Sequence, residues 1–255
     1  MNKNYHYFLG VLFALLILNL YYFAGLVIEE RIVPKSVEYW VGFFNSATGA
    51  MSGALLAFVL HDRQERKKIE KIRIENLQST LLLLAVKLNQ LRHIKYNLLE
   101  PHKGKVNWWC SVVAYHDLEI KEPFKLTEIS FIQSSMYKFL LELSIADEAY
   151  STTVDFFNAR SRLHREKLQP AQKLALEEND SIPIDCSNIH EFLEPTLIEE
   201  MKVATNGAYD QSAMIIENLE NLQTQLFEYC TNQFPEENFL DHDKVFRESE
   251  NLASQ

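Results

Sequence analysis

The residues of this chain with the most chemical potential sit inside an uncharged segment, residues 39–60, and not in a catalytic motif. Asn45, Thr48 and Ser52 recur there at i, i+3 and i+7, so on a helix they share one side. Polar groups at membrane depth are costly unless they hydrogen-bond or meet water. These three either line a narrow aqueous path in an oligomer or bond to a neighbouring helix, for which Asn19 of an earlier apolar segment is a candidate. The same segment holds Gly42, Ser46, Gly49, Ala50, Gly53, Ala54 and Ala57. Gly49 and Gly53 form a GxxxG pair, and Ser46, Ala50 and Ala54 repeat its spacing. In lipid no hydrophobic force draws helices together, so small residues that permit close backbone approach decide where they pack. Such a face docks on another span of the same chain or on a second copy in a homo-oligomer.

Enzyme signatures are missing. The chain has no Walker loop, GxGxxG, GxSxG or HExxH. Its eight histidines are dispersed, and the pairs His116–Asp117 and His190–Glu191 lack the i, i+3 or i+4 spacing that brings side chains together on a helix. Asp241, His242 and Asp243 adjoin in an acidic tail expected to fray. Cys110, Cys186 and Cys230 are scattered without CxxC spacing, which fits reduced, buried thiols better than a disulfide framework or a zinc site. We expect no catalysis, no metal and no cofactor. A basic cluster at residues 160–167 (Arg160, Arg162, Arg165 and Lys167) reads as a solvated helix end, where cations complement the dipole. Contact with a nucleic acid or an acidic partner is its other reading.

The elements that carry these residues begin with two spans. Residues 7–28 and 39–60 each contain 22 positions without Asp, Glu, Lys, Arg or His. At about 1.5 Å per residue either reaches roughly 33 Å, enough for a hydrocarbon core of about 30 Å. The first is too long for the core of a cleaved signal peptide, and no small-x-small site closes it before Glu29, Glu30 and Arg31. A tight connection around Pro34 makes the pair a hairpin. Residues 62–73 carry six cations, Arg63, Arg66, Lys67, Lys68, Lys71 and Arg73, which should stay cytoplasmic, with both termini inside. They also suit anionic headgroups of the bilayer. The ion-free spans argue against a proton relay or a coupled transporter. Tyr21, Tyr22, Tyr39 and Trp40 then lie near the outer interface.

Beyond the spans the chain reads as an all-α cytoplasmic bundle of long helices over residues 62–235, followed by an acidic tail, 236–255. Ile74, Leu77, Leu81, Leu84, Leu88 and Leu91 step by three and four, a heptad seam that serves an oligomer coiled coil or one helix of a bundle. Leu82, Leu83 and Val86 widen that face and favour the bundle. Residues 101–123 look irregular, and the apolar run 106–115 reads equally as a short strand or a buried helical turn. A second helix is expected from about Thr127 to Leu168, with Ile132, Met136, Phe139, Leu140, Leu143, Ala146, Tyr150, Val154 and Phe157 inward. Residues 169–194 hold Pro170 and Pro183 and read as a linker. A third helix runs from about Pro195 to Gln233, with Leu197, Met201, Ala204, Ala208, Gln211, Ile215, Leu219, Leu222 and Leu226 on one face, and Pro235 ends it. Charge divides along the chain: residues 74–169 carry twelve basic and eleven acidic side chains, and residues 170–255 four and eighteen. The acidic part should repel phosphates and an anionic leaflet, and face solvent or a basic partner.

A two-span hairpin, a basic stretch and a helical cytoplasmic domain together resemble the membrane effectors of bacterial anti-phage systems, in particular the two-transmembrane effector of certain retrons. The stretch SMYKFLLELSIADEAYSTTVDFFNARSRLHREKLQ at residues 135–169, with the last helix ending at Phe234-Pro235, also resembles a class of uncharacterised bacterial membrane proteins. The likeness lies in the layout and carries no functional residue across. It implies an inner-membrane effector of abortive infection that perturbs or permeabilises the membrane. A reverse transcriptase and its RNA–DNA product would be the inhibitory partner. The reading that stands beside it is a membrane-tethered adaptor or sensor that recruits a cytoplasmic partner.

Overall fold

The computed structural model describes residues 37–178 and 187–240, with side chains from Ser46 onward, and seven positions of the first apolar segment: 10, 13, 14, 17, 18, 20 and 21. The bulk of the first expected span, Asn19, the connection around Pro34, the side chains of Gly42 and Asn45, Cys186 and residues 241–255 lie outside the described residues. The chain divides into two compact units, Met1–Lys67 and Lys68–Gln255.

In the first unit the seven early positions are helical. Helix α1 begins at Val37 and runs to Arg92, 56 residues without a proline to break it. Residues 48–57 of α1 are all exposed. The ion pairs that begin its charged continuation lie along the helix surface, with Arg66 Nε 2.9 Å from Asp62 and His61 3.6 Å from Glu65. Among the described residues no helix is long and apolar enough to cross a membrane.

The second unit is a bundle with no strand among its described residues. Leu77, Leu81, Leu84, Leu88 and Leu91 of α1 are fully buried, so the heptad seam is taken up inside the chain's own core. Each such leucine contributes roughly 1.5–3 kcal/mol by leaving water. The buried face is placed differently from the sequence reading. Leu82 and Val86 remain 57% and 37% exposed, while Leu83 is partly buried and Thr80, Ala85 and Lys87 flank the seam inside. After Arg92 the helix loosens into a π segment, His93–Leu99, and a 3-10 turn, Glu100–His102, where Pro101 stops it. A turn follows with Gly104 at φ +87° and Asn107 at φ +50°. Gly104 suits that left-handed region, and Asn tolerates it.

Of the two readings of the run 106–115, the buried helical turn holds over four residues, with Trp109 and Cys110 inside, and the strand does not. Trp108–Ser111 form the one-turn helix α2, and the chain then extends without pairing to any strand. A 3-10 turn, Ser130–Ile132, leads into helix α3, Gln133–Leu163, later than the expected start at Thr127. Its first turn is irregular at Met136 (φ −134°, ψ 41°). The expected inner stripe is inside: Phe139, Leu143, Ala146, Tyr150, Val154 and Phe157 are buried.

The expected linker from residue 169 is corrected. α3 continues through a π segment, His164–Leu168, into helix α4, Gln169–Glu178. Pro170 falls in the first turn of α4, where a missing N–H costs least. Helix α5 runs Pro195–Gln233, as its flanking prolines indicate. Its inner face includes Thr205 and Ser212, both fully buried, while Ala204 is half-buried and Gln211 exposed. The expected face therefore slips by one residue at two places, 204/205 and 211/212, with Ala208 between them inside as expected.

Side-chain pairs fix the helix directions. Lys87–Asp147 and Tyr150–Gln90, each 60 residues apart, make α1 and α3 parallel. Arg160–Thr205 and the contact of Phe156 with Gly207 make α3 and α5 antiparallel. A second cluster, with Trp109, Leu168, Ile189, Leu193, Ile198 and Met201, closes the end where α2, the second π segment and the start of α5 meet.

Candidate functional site

Two parallel helices in sequence need a return path, and residues 112–126 supply it as an extended strap laid against α3. An extended segment without a strand partner leaves its N–H and C=O groups to be satisfied otherwise. Here the side chains of α1 and α3 do it. The Asn158 amide donates to Leu118 O at 2.9 Å and accepts from Leu118 N–H at 2.8 Å. The Tyr150 hydroxyl accepts from Lys121 N–H at 3.1 Å and donates to Gln90 Oε1 at 2.6 Å. Asp147 accepts from Phe124 N–H at 3.2 Å, and Gln90 donates to Glu119 O at 2.9 Å. Asn76 of α1 donates to Glu128 O at 3.0 Å just beyond the strap.

Two cations anchor its ends. Lys87 is fully buried and pairs with Asp147, with its ammonium 4.5 Å from the ring centroids of both Phe124 and Tyr150. Burial pulls its pKa below the ordinary lysine value, while the hydrogen bond and charge of Asp147 oppose that shift. Burial likewise pushes the Tyr150 phenol up to about 12. Arg160 is also fully buried, and its hydrogen bonds go to neutral groups. Its guanidinium donates to Val113 O at 2.8 Å, Trp109 O at 3.0 Å and Thr205 Oγ1 at 3.3 Å, and also to Val112 O. Desolvation lowers its pKa to about 10, with Cys110 nearby acting the other way. Next to it, burial and then the charges of Arg160 and Arg165 hold His164 down at about 4.

The expected solvated helix end at residues 160–167 is therefore corrected. Helical structure continues past it, Arg160 is interior, and the other three cations are engaged. Arg162 and Arg165 grip the two oxygens of Asp117 at 2.8 and 2.9 Å, and Arg165 also donates to Tyr115 O. These arginines hold the Asp117 carboxyl below its usual range. Lys167 pairs with Glu200 at 2.9 Å. The cluster is a clamp on the strap, which weighs against its reading as an open anion-binding surface. Arg160 repeats the inward positions of α3 three residues after Phe157, a periodicity that marks it as interior; composition alone grouped it with its exposed neighbours.

The small-residue set lies elsewhere, on α1 in the first unit. Ser46, Thr48, Gly49, Ala50, Ser52, Gly53, Ala54 and Ala57 are exposed, and a Cβ added at Gly49 or Gly53 would meet nothing within 4 Å among the described residues. Thr48 and Ser52 share this helix surface; Asn45 and Gly42 belong to α1 by backbone, and Asn19 is outside the described residues. Arg63, Arg66, Lys67, Lys68, Lys71 and Arg73 are all exposed, with Lys71 3.8 Å from Glu75 and Arg73 5.1 Å from the Phe131 ring centroid. Cys110 and Cys230 are buried, and burial pushes the Cys230 thiol up to about 12. Among the described residues no three His, Cys, Asp or Glu side chains gather as metal ligands. Compared with protein-family models, curated proteins and solved structures, this chain matches none.

Proposed function

We propose that this chain is an inner-membrane effector of a bacterial anti-phage system, in which two N-terminal spans perturb or permeabilise the membrane when the cytoplasmic bundle is released or assembled. The single observation behind it is the open small-residue surface of α1. Among the described residues nothing lies within 4 Å of a Cβ position at Gly49 or Gly53, so another helix can approach there to backbone contact. The two 22-residue uncharged segments, the six cations that follow them and the layout resemblance support the same reading. A reverse transcriptase with its RNA–DNA product is the inhibitory partner in that scheme, on the resemblance alone.

Bacteria expressing the chain with its trigger should lose membrane potential within the period of growth arrest, as read by a voltage-sensitive dye. Gly53→Leu and Asn45→Leu should each reduce that loss at equal protein level. Growth arrest with normal membrane potential would sink the proposal. A second reading, a membrane-tethered adaptor, is favoured by an acidic-rimmed groove on the bundle. Replacing residues 1–61 with an unrelated two-span anchor separates the two, since an adaptor keeps working and a membrane effector fails.

A further inference from the structure

Where α3 runs past the first turns of α5, their surfaces part into an open groove of about 670 Å³. Its floor is apolar, with Phe156, Ala159 and Leu163 from α3 and Val203 from α5. Val203 is 57% exposed, and Phe156 lies over Gly207 of the facing helix. A second depression of about 510 Å³ shares Thr196 and Glu200 with the first and adds Leu174 of α4, itself 58% exposed. The two adjoin as one channel, apolar in its first part and of mixed polarity in its second. Its rim is acidic: Glu199 and Glu200 border the first part, Glu194 and Glu200 the second. Glu200 is matched by Lys167, whereas Glu194 and Glu199 make no ion pair among the described residues. The remaining cation in the wall, Arg160, is buried and bonded to strap carbonyls.

We propose that this channel binds a cationic amphipathic helix of a partner protein. An amphipathic helix lays apolar anchors at i, i+3, i+4 and i+7 into a groove of this kind. A channel with an apolar floor and unneutralised carboxylates at its edge selects one whose flanks carry Lys or Arg. Over the described residues 187–202, which include the channel's edge, Glu191, Glu194, Glu199 and Glu200 stand against one cation, Lys202, and this local field steers a cationic partner inward. The same charge disfavours nucleic acid and anionic lipid headgroups. This site is independent of what the spans do to the membrane, so it stands or falls separately from the effector reading.

The test uses the full chain in zwitterionic nanodiscs and a fluorescein-labelled leucine–lysine peptide of roughly 18 residues with its leucines on one helical face. Empty nanodiscs and a peptide of identical composition in scrambled order serve as controls. The amphipathic peptide should bind saturably, raising anisotropy, and more weakly as salt increases. Ala159→Trp, at an exposed position, fills the channel without changing charge and should weaken binding about tenfold or more. Val203→Asn, also exposed, should do the same by removing the apolar floor, and Glu194→Gln with Glu199→Gln should flatten the salt dependence. Equal binding of the scrambled peptide, or binding unaffected by both Ala159→Trp and Val203→Asn, overturns the proposal. So does a dimer that Ala159→Trp dissociates, which assigns the channel to a second copy. Binding that appears only after residues 179–186 are replaced by a Gly-Ser segment of equal length assigns it to the chain itself and equally overturns it.

Discussion

Arg160 exchanges bulk water for three backbone carbonyls and one hydroxyl, a trade that succeeds only because its planar fork reaches all four at once. Arg160→Leu leaves those carbonyls without their donor and should cost on the order of 3 kcal/mol or more in denaturant unfolding. Arg160→Lys should recover little of it, since one ammonium cannot replace a fork. A recovery to wild-type stability would show that charge, and not geometry, is what the site needs. Beside it, His164 ties stability to pH. The unfolded chain takes up a proton at this ring near pH 6.5, and the folded protein refuses it down to about pH 4. Stability contributed by the neutral ring is therefore present above about pH 6.5 and lost as pH falls through that window, by up to about 3 kcal/mol. His164→Leu should flatten the fall between pH 6.5 and 5 relative to the parent, measured by thermal melting; identical pH profiles would refute the assignment. The ring's Nδ1 has no hydrogen-bond partner among the described residues, so the leucine sacrifices no bond there.

At the scale of elements, the strap depends on bonds its own sequence cannot announce. Its partners are side chains 23 to 50 residues further along, on α3 and the π segment that continues it, and others on α1, so no local pattern in residues 112–126 marks it. Asn158→Leu removes both bonds to Leu118. Hydrogen exchange at the amide of residue 118 should speed by at least about tenfold, with a global cost of about 1–3 kcal/mol. Unchanged exchange would mean that apolar contacts of Val112 and Phe124 suffice to hold the strap. The heptad seam and the bounds of α5 were legible, because leucines at three-four spacing and flanking prolines are local signals. The face of α5 was read one residue off where Thr205 and Ser212 take inward positions: Ser212 bonds back to Tyr209 O of its own helix, and Thr205 accepts from Arg160. Phe156 of α3 lays the outer edge of its ring on Gly207 of α5, where an added Cβ would stand 2.6 Å from Cε1. Gly207→Ala should push this 38% exposed ring aside while gaining about 0.5–1 kcal/mol of helix propensity, so denaturant unfolding should shift by less than about 1 kcal/mol; a loss of about 2 kcal/mol or more that disappears in a Phe156→Ala background would show that the ring is fixed in place.

Across the whole molecule the sequence sets two 22-residue uncharged segments, 7–28 and 39–60, apart from a charged remainder, and the described structure divides at Lys67. If the proposed spans anchor the protein, the full chain should fractionate with the membrane, and a chain lacking residues 1–61 should move to the supernatant while keeping its helical circular dichroism. A full chain found in the supernatant, or a truncated one that stays with the membrane, would overturn that proposal. The all-helical class was legible from periodicity and from the scarcity of glycine, seven in 255 residues. What the bundle grips and hides was not, since Lys87, Asp147, Tyr150 and Asn158 meet the strap only after the chain has folded back on itself. That return sets a timetable for synthesis. The strap leaves the ribosome 23 to 50 residues before the α3 side chains that hold it. At about 5–20 residues per second, its backbone waits roughly one to ten seconds for partners. For that interval the nascent chain offers an unpaired extended segment to whatever else is nearby, and a chaperone or a wrong strand competes with α3 for it.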